Sequence, residues 1–230
     1  MKKHLLLISS ISLLVIFIIF TILVKTVDVH YIYNRTYLGF YSLNIHFGDW
    51  ALNFGKYEFM QKMSSIILYV SFGYSGILAI AGIVDLIRKK SLKTVDKRFY
   101  LLLGGYIVIV LLYLFFELVK FNYSTDSYAN HLKTSYPSSH VFIGCSLLLL
   151  NSYTAIKLLN PEKKWLSYLI YGASILICLL LTFTRALSLK HWLTDIIASI
   201  ILVIAVFTSF IYISHRLVIS KEETSETEKK

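Results

Sequence analysis

The chain has 230 residues, of which 57% are hydrophobic, 16% charged and two proline, and its mean hydropathy is +0.67. That composition excludes a water-soluble globule and reads as a multi-span membrane protein. The formal charge of +10 is spread over loops rather than gathered on one module, which argues against nucleic acid as a partner and for a role in setting membrane orientation.

A spanning helix needs about 20 mostly apolar residues, and six stretches approach that length: 4–24, 64–87, 99–119, 139–159, 166–183 and 192–213. The expected fold class is therefore all-α, a polytopic membrane protein with a six-transmembrane-helix bundle as one domain over 1–215. Residues 216–230, whose last ten, Lys221 to Lys230, hold no apolar residue, read as a disordered cytoplasmic tail. Met1-Lys2-Lys3 precedes an apolar run with no small-residue cleavage pattern before Lys25, so the first span is expected to be retained.

The connection after it, 25–63, is the longest and carries Tyr31, Tyr33, Tyr37, Tyr41, Tyr57 and Trp50. Such aromatics suit the headgroup level, and the part from Asp49 to Met63 reads as an interfacial helix, a cover over a lipid entry, or a plain surface loop. The next loop holds Arg88, Lys89, Lys90, Lys93, Lys97 and Arg98 with one acid, Asp96; Lys163 and Lys164 lie two spans later. The positive-inside rule puts both loops and both termini in the cytoplasm, leaving 25–63, 120–138 and 184–191 outside. Asp85, near an inner end, is expected to reach water or pair with Arg88, whereas Glu117, near an outer end, is placed to line a cavity. Cys145 and Cys178 fall inside spans and read as packing thiols.

Two polar clusters fall on the outer side. The first is Tyr136-Pro137-Ser138-Ser139-His140, ahead of the fourth span. Proline and serines before an apolar run signal a helix start, where a serine side chain caps first-turn amides and where anions bind. His140 in that turn is placed to give a proton to a leaving oxygen. The second runs from Thr184 to Asp195. Arg185 offers a planar donor fork for phosphate oxygens, and His191 with Asp195 four residues on would share a helix face, the carboxylate fixing the imidazole tautomer so that the other nitrogen can act as nucleophile. Taken alone, the first cluster also fits a plain helix cap, and Arg and His near an interface also fit snorkelling side chains. Asp195, a turn inside a span, is costly unless paired.

Pro137-Ser138-Ser139-His140, followed by Arg185, five residues, His191, three residues and Asp195, resembles the last two signature motifs of the type-2 phosphatidic acid phosphatase superfamily, in its membrane branch. The resemblance implies an integral membrane lipid-phosphate phosphatase, hydrolysing the phosphomonoester or diphosphate of an amphiphile such as undecaprenyl diphosphate or phosphatidate through a phosphohistidine. It implies His191 as nucleophile, Asp195 as its orienting partner, His140 as acid, and Arg185, Ser138, Ser139 and Lys120 as phosphate-binding residues. No metal, cofactor or obligatory protein partner is implied; the partners are the bilayer and the lipid phosphate.

The family's earlier motif, Lys-x6-Arg-Pro, is incomplete here: counting from Lys120, Ser127 and Tyr128 stand where Arg and Pro are usual. Lys133 is the other cation of that loop placed to reach a phosphate. Ser139 replaces a common glycine and Thr184 a common serine. The missing arginine motivates an alternative, a lipid phosphotransferase or a weakened lipid-phosphate binder. A metal or haem site built from His140, His191 and Asp195 is a third reading, disfavoured by the cation Arg185 beside it.

Overall fold

The computed structural model describes residues 2–33, 36–124, 133–159 and 164–219. Seven α-helices carry most of it: α1 (Lys2–Thr26), α2 (Tyr41–Leu52), α3 (Tyr57–Lys89), α4 (Lys97–Val119), α5 (Ser139–Leu159), α6 (Lys164–Leu187) and α7 (Leu193–Ser214). Six, all but α2, are long and apolar enough to cross a membrane, and the chain is a polytopic six-helix membrane bundle. A two-stranded antiparallel hairpin, β1 (His30–Tyr33) and β2 (Thr36–Leu38), follows α1.

The arrangement follows from which helices can bury their faces. α5 is the centre: 72% of its apolar window is inside the protein, against 11% for α6, whose leucines and isoleucines are left for lipid. α3, α4, α6 and α7 all pack on α5, and α1 packs along α7. Lipid tails are as apolar as leucine, so contact between helices is driven by close packing and by polar side chains rather than by solvent exclusion. Both devices are present. A Cβ added at Gly144 on α5 would come within 2.5 Å of Leu181 Cδ2 on α6, and one at Gly105 on α4 within 2.6 Å of Leu150 Cδ2 on α5. Between α4, α5 and α3 the Tyr106 hydroxyl donates to Asn151 Oδ1 (2.5 Å), whose Nδ2 donates to Ser75 Oγ (2.8 Å).

Several expectations are corrected. α3 begins at Tyr57 rather than 64, because nothing in Tyr57–Met63 interrupts a helix, so the last seven residues of the expected segment 49–63 are the first turns of this span and its first four end α2. The connection between α1 and α3 folds into the hairpin and α2. Gly39 explains how closely it is held: a Cβ there would sit 1.8 Å from the Val24 carbonyl oxygen at the end of α1. α6 runs to Leu187, past the predicted 183, which places Arg185 in its last turn. Asp85 pairs with Lys89 Nζ (3.0 Å) and accepts from Asp96 N–H (3.0 Å), not from Arg88. At the C-terminal end α7 continues through a π-helical turn, His215–Ile219, so the first four residues of the expected tail, 216–219, are helical; 220–230 lie outside the described residues, as do Ser127, Tyr128 and Lys163. Cys145 and Cys178 are free thiols.

Candidate functional site

The site forms where the starts of α5 and α7 meet the end of α6. Trp192, in extended conformation (φ −71°, ψ 153°), is the N-cap of α7. Asp195 closes the turn, its Oδ2 accepting from Trp192 N–H (3.1 Å) while its own N–H donates to Trp192 O (3.0 Å); a carboxylate in a first turn also suits the helix dipole. The two helix starts are laced together. Ser138 N–H donates to Asp195 O (3.2 Å), and Ser199 Oγ donates to Ser138 O (3.1 Å).

This corrects the sequence expectation in two respects. His191 precedes α7, following Leu189 with its left-handed φ of 54°, so it does not share a helix face with Asp195. Its Nδ1 lies 3.8 Å from Asp195 Oδ2, too far for a good hydrogen bond. The direct partner of Nδ1 is the Ser135 carbonyl, at 2.9 Å. Arg185 Nη2 stands 2.9 Å from His191 Nε2. A guanidinium only donates, so Nε2 carries the lone pair and Nδ1 the proton: the tautomer is fixed from both sides. Burial holds the His191 pKa below its ordinary value; the nearby Asp195 pulls upward and Arg185 pushes further down.

Ser138 was expected to cap its helix with its side chain, but Oγ of this fully buried residue has no hydrogen-bond partner among the described residues, and neither has the buried Nδ1 of His140. His140 is close enough to feel the charges of Arg185 and His191. Buried polar atoms are nearly always paired, so a hydroxyl and an imidazole left open beside an arginine form a place for an anion with acceptor oxygens. Ser139, in the first turn of α5, lines a cavity of about 20 Å³ with His191, Ser135, Thr134 and Glu117. Glu117 accepts a hydrogen bond from Thr134 Oγ1. The cavity holds about one water; a phosphate requires Arg185 to move off His191.

Ser138, Ser139, His140, Arg185, His191 and Asp195 are thus brought together. Lys120 is not among them: it stands exposed at the end of α4 as a left-handed C-cap (φ 54°). Lys133 shows its backbone carbonyl accepting from Ser124 N–H (2.9 Å). His140, His191 and Asp195 do not converge as ligands, since Nε2 faces a cation and no group of three His, Cys, Asp or Glu side chains gathers among the described residues.

Sequence reasoning missed three residues. Ser135 supplies the carbonyl for His191. Asn122 Nδ2 donates to Asp195 Oδ1 at 3.0 Å. Asn44 of α2 reaches the same turn, Oδ1 accepting from Thr194 N–H (3.1 Å) and Nδ2 donating to Thr194 Oγ1 (3.1 Å) and Gly39 O (2.9 Å). A carbonyl leaves no mark in a sequence, and the two asparagines lie 73 and 150 residues from their partners. The signal available was that buried Asp195 and the first amides of α7 needed partners.

The comparisons agree with this geometry. Residues 115–219, which contain every residue of the cluster, match the family model described as the PAP2 superfamily. No curated protein matches the chain. Among solved structures, the crystal structure of the first transmembrane PAP2 type phosphatidylglycerolphosphate phosphatase from Bacillus subtilis superposes with a TM-score of 0.67 at 16% identity, over 91% of this chain and 97% of that one. The likeness shows a shared fold. With the motif residues assembled at one corner of the bundle, residues 115–219 are similar to the PAP2 superfamily, and the chain as a whole shares its fold with a PAP2-type membrane phosphatase.

Proposed function

We propose that the protein is an integral membrane lipid-phosphate phosphatase, acting on the phosphomonoester or diphosphate of an amphiphile at the extracytoplasmic face. The observation that carries this is the contact of Arg185 with His191 Nε2 at 2.9 Å beside the unpartnered Ser138 Oγ and His140 Nδ1. An imidazole with its lone pair facing a phosphate-binding cation is set for attack on phosphorus. The family supports phosphatase chemistry, and the fold shared with a membrane phosphatidylglycerolphosphate phosphatase supports a lipid substrate.

The chemistry has two displacements. Phosphate oxygens draw the Arg185 guanidinium and accept from Ser138, and Nε2 of His191, now uncovered, attacks phosphorus. The bond from phosphorus to the lipid oxygen, or to the bridging oxygen of a diphosphate, breaks, and His140 gives that oxygen a proton; the charge of the incoming phosphate favours the protonated imidazole. Nδ1–H, held by the Ser135 carbonyl and facing Asp195, carries the positive charge of the phosphohistidine. Water then attacks phosphorus, giving a proton back to His140, the P–N bond breaks to restore the Nε2 lone pair, and phosphate leaves. Arg185 and the helix-start amides stabilise the transferring charge, so no metal is assigned a role.

The test is phosphate release by detergent-purified protein from a panel of lipid phosphates and diphosphates, with chelator present. His191→Ala is expected to abolish release and Asp195→Asn to slow it by about 100-fold or more, in line with the loss of an orienting carboxylate. Wild-type rates in both variants would refute the assignment. Phosphate recovered on an acceptor lipid rather than free would make the protein a transferase, the reading that the absent arginine of the first motif favours.

A further inference from the structure

We propose that Asn122 is the positioning residue of the reacting histidine, holding in place both groups that face its Nδ1 proton; the proposal rests on the function assigned above. The side chain fixes one of them. Asp195 is fully buried, and its two oxygens are held by donors from different parts of the chain: Oδ1 by Asn122 Nδ2 (3.0 Å) and Oδ2 by Trp192 N–H (3.1 Å). One donor on each oxygen stops the carboxylate from turning about its own axis, and it is Oδ2, thereby fixed, that lies 3.8 Å from His191 Nδ1.

The backbone of Asn122 fixes the other. Its carbonyl accepts from Ser135 N–H (3.0 Å), and Ser135 O is the acceptor of His191 Nδ1–H (2.9 Å). One residue thus sets the carboxylate through its amide and the carbonyl through its main chain. Its surroundings are made for this. Asn122 is 1% exposed, its neighbour Phe121 offers its carbonyl to Lys25 Nζ at the end of α1, and the next residue, Tyr123, gives its carbonyl to Trp192 Nε1 (2.8 Å).

The orientation of the amide is unambiguous, because turning it over would set its oxygen against a buried carboxylate. The consequence is that Asn122 Oδ1 is left buried without a partner among the described residues. An orphaned acceptor is costly, and an apolar side chain of similar size would fill the space without that cost. What an apolar side chain lacks is a donor for Asp195. The segment that follows α4, where the family's first motif would supply cations to the phosphate, here serves the carboxylate behind the nucleophile.

The test is a double-mutant cycle in purified protein. The isosteric Asn122→Asp keeps the shape and the bond to Ser135 but turns the donor into an acceptor; Asn122→Leu removes it. Each is expected to lower kcat for phosphate release by about 10–100-fold, as for other residues that orient a reacting group from behind, with KM changed less than roughly twofold because neither touches phosphate. On an Asp195→Asn background the same changes are expected to cost less than about threefold, since their effect passes through that carboxylate. Equal losses on both backgrounds, or wild-type kcat in Asn122→Asp, would overturn the proposal.

A second readout is independent of turnover. The His191 Nδ1 proton resonance, assigned by its disappearance in His191→Ala, is expected to move upfield in Asn122→Asp. An unchanged resonance overturns the positioning role. A shifted one in a protein that releases no phosphate from any lipid would uphold the role and reject the phosphatase.

Discussion

His191 shows how a residue can be recognised from sequence while its surroundings are not. The spacing Arg185, His191, Asp195 is visible in the chain, and all three meet. What spacing cannot show is that His191 sits outside the helix, so the nearest acceptor for Nδ1 is Ser135 O, from the other cluster. The tautomer is therefore set jointly by Arg185 and a carbonyl, with Asp195 acting at 3.8 Å as a charge. A pH dependence follows. In the proposed mechanism attack needs Nε2 unprotonated, and burial with Arg185 holds the His191 pKa below its ordinary 6.5. Activity is present above that lowered pKa and is lost as pH falls through it, so the acid limb of kcat/KM is expected below pH 6.5. A limb at or above that value in a pH series from 4 to 8 would show that His191 is not held neutral.

At the scale of elements, the spanning helices were legible because their lengths and apolar runs are dictated by the bilayer. α4 and α5 end where the sequence expectation put them, the first stopped by the left-handed Lys120 and the second started just after Pro137. The hairpin and α2 were not legible. Their strands are four and three residues long, and α2 buries Asn44 and Ala51, of which Asn44 bonds to Thr194 across 150 residues. That asparagine makes α2 part of the site's foundation, since Thr194 adjoins Asp195. Asn44→Ala would leave the Thr194 amide and the Gly39 carbonyl buried and unpaired, a loss of about 2 kcal/mol. In a chain of this size the melting temperature in detergent is expected to fall by about 4–8 °C, with kcat falling too. An unchanged melting curve would mean that α2 does not brace the α7 turn.

The whole molecule places polar chemistry at one end of an apolar bundle. α1, α3, α4 and α6 are mostly exposed to lipid, while α5 is sheathed by the others and presents its first turn at the site. The charge pattern is the ground for the proposed orientation: Arg88, Lys89, Lys90 and Lys93 lie at the opposite end from Arg185 and His191 along the bundle. The proposed extracytoplasmic site can be checked with a membrane-impermeant thiol reagent on intact cells. Lys56→Cys, exposed between α2 and α3, is expected to react from outside, and Lys93→Cys, exposed between α3 and α4, only after permeabilisation. The reverse pattern would place the site in the cytoplasm. Substrate identity was not legible at this scale, because lipid-facing leucines and isoleucines accept any hydrocarbon chain alike.

On the proposed mechanism, the guanidinium lying on His191 Nε2 masks the nucleophile. An atom able to attack phosphorus is also open to protons and stray electrophiles, and here it is covered by a cation that repels both protons and metal ions. A phosphoryl group alone brings the oxygens that lure the arginine away, so the group to be transferred is also the key that unlocks its acceptor. On that mechanism Arg185 returns when free phosphate departs, and the lock resets.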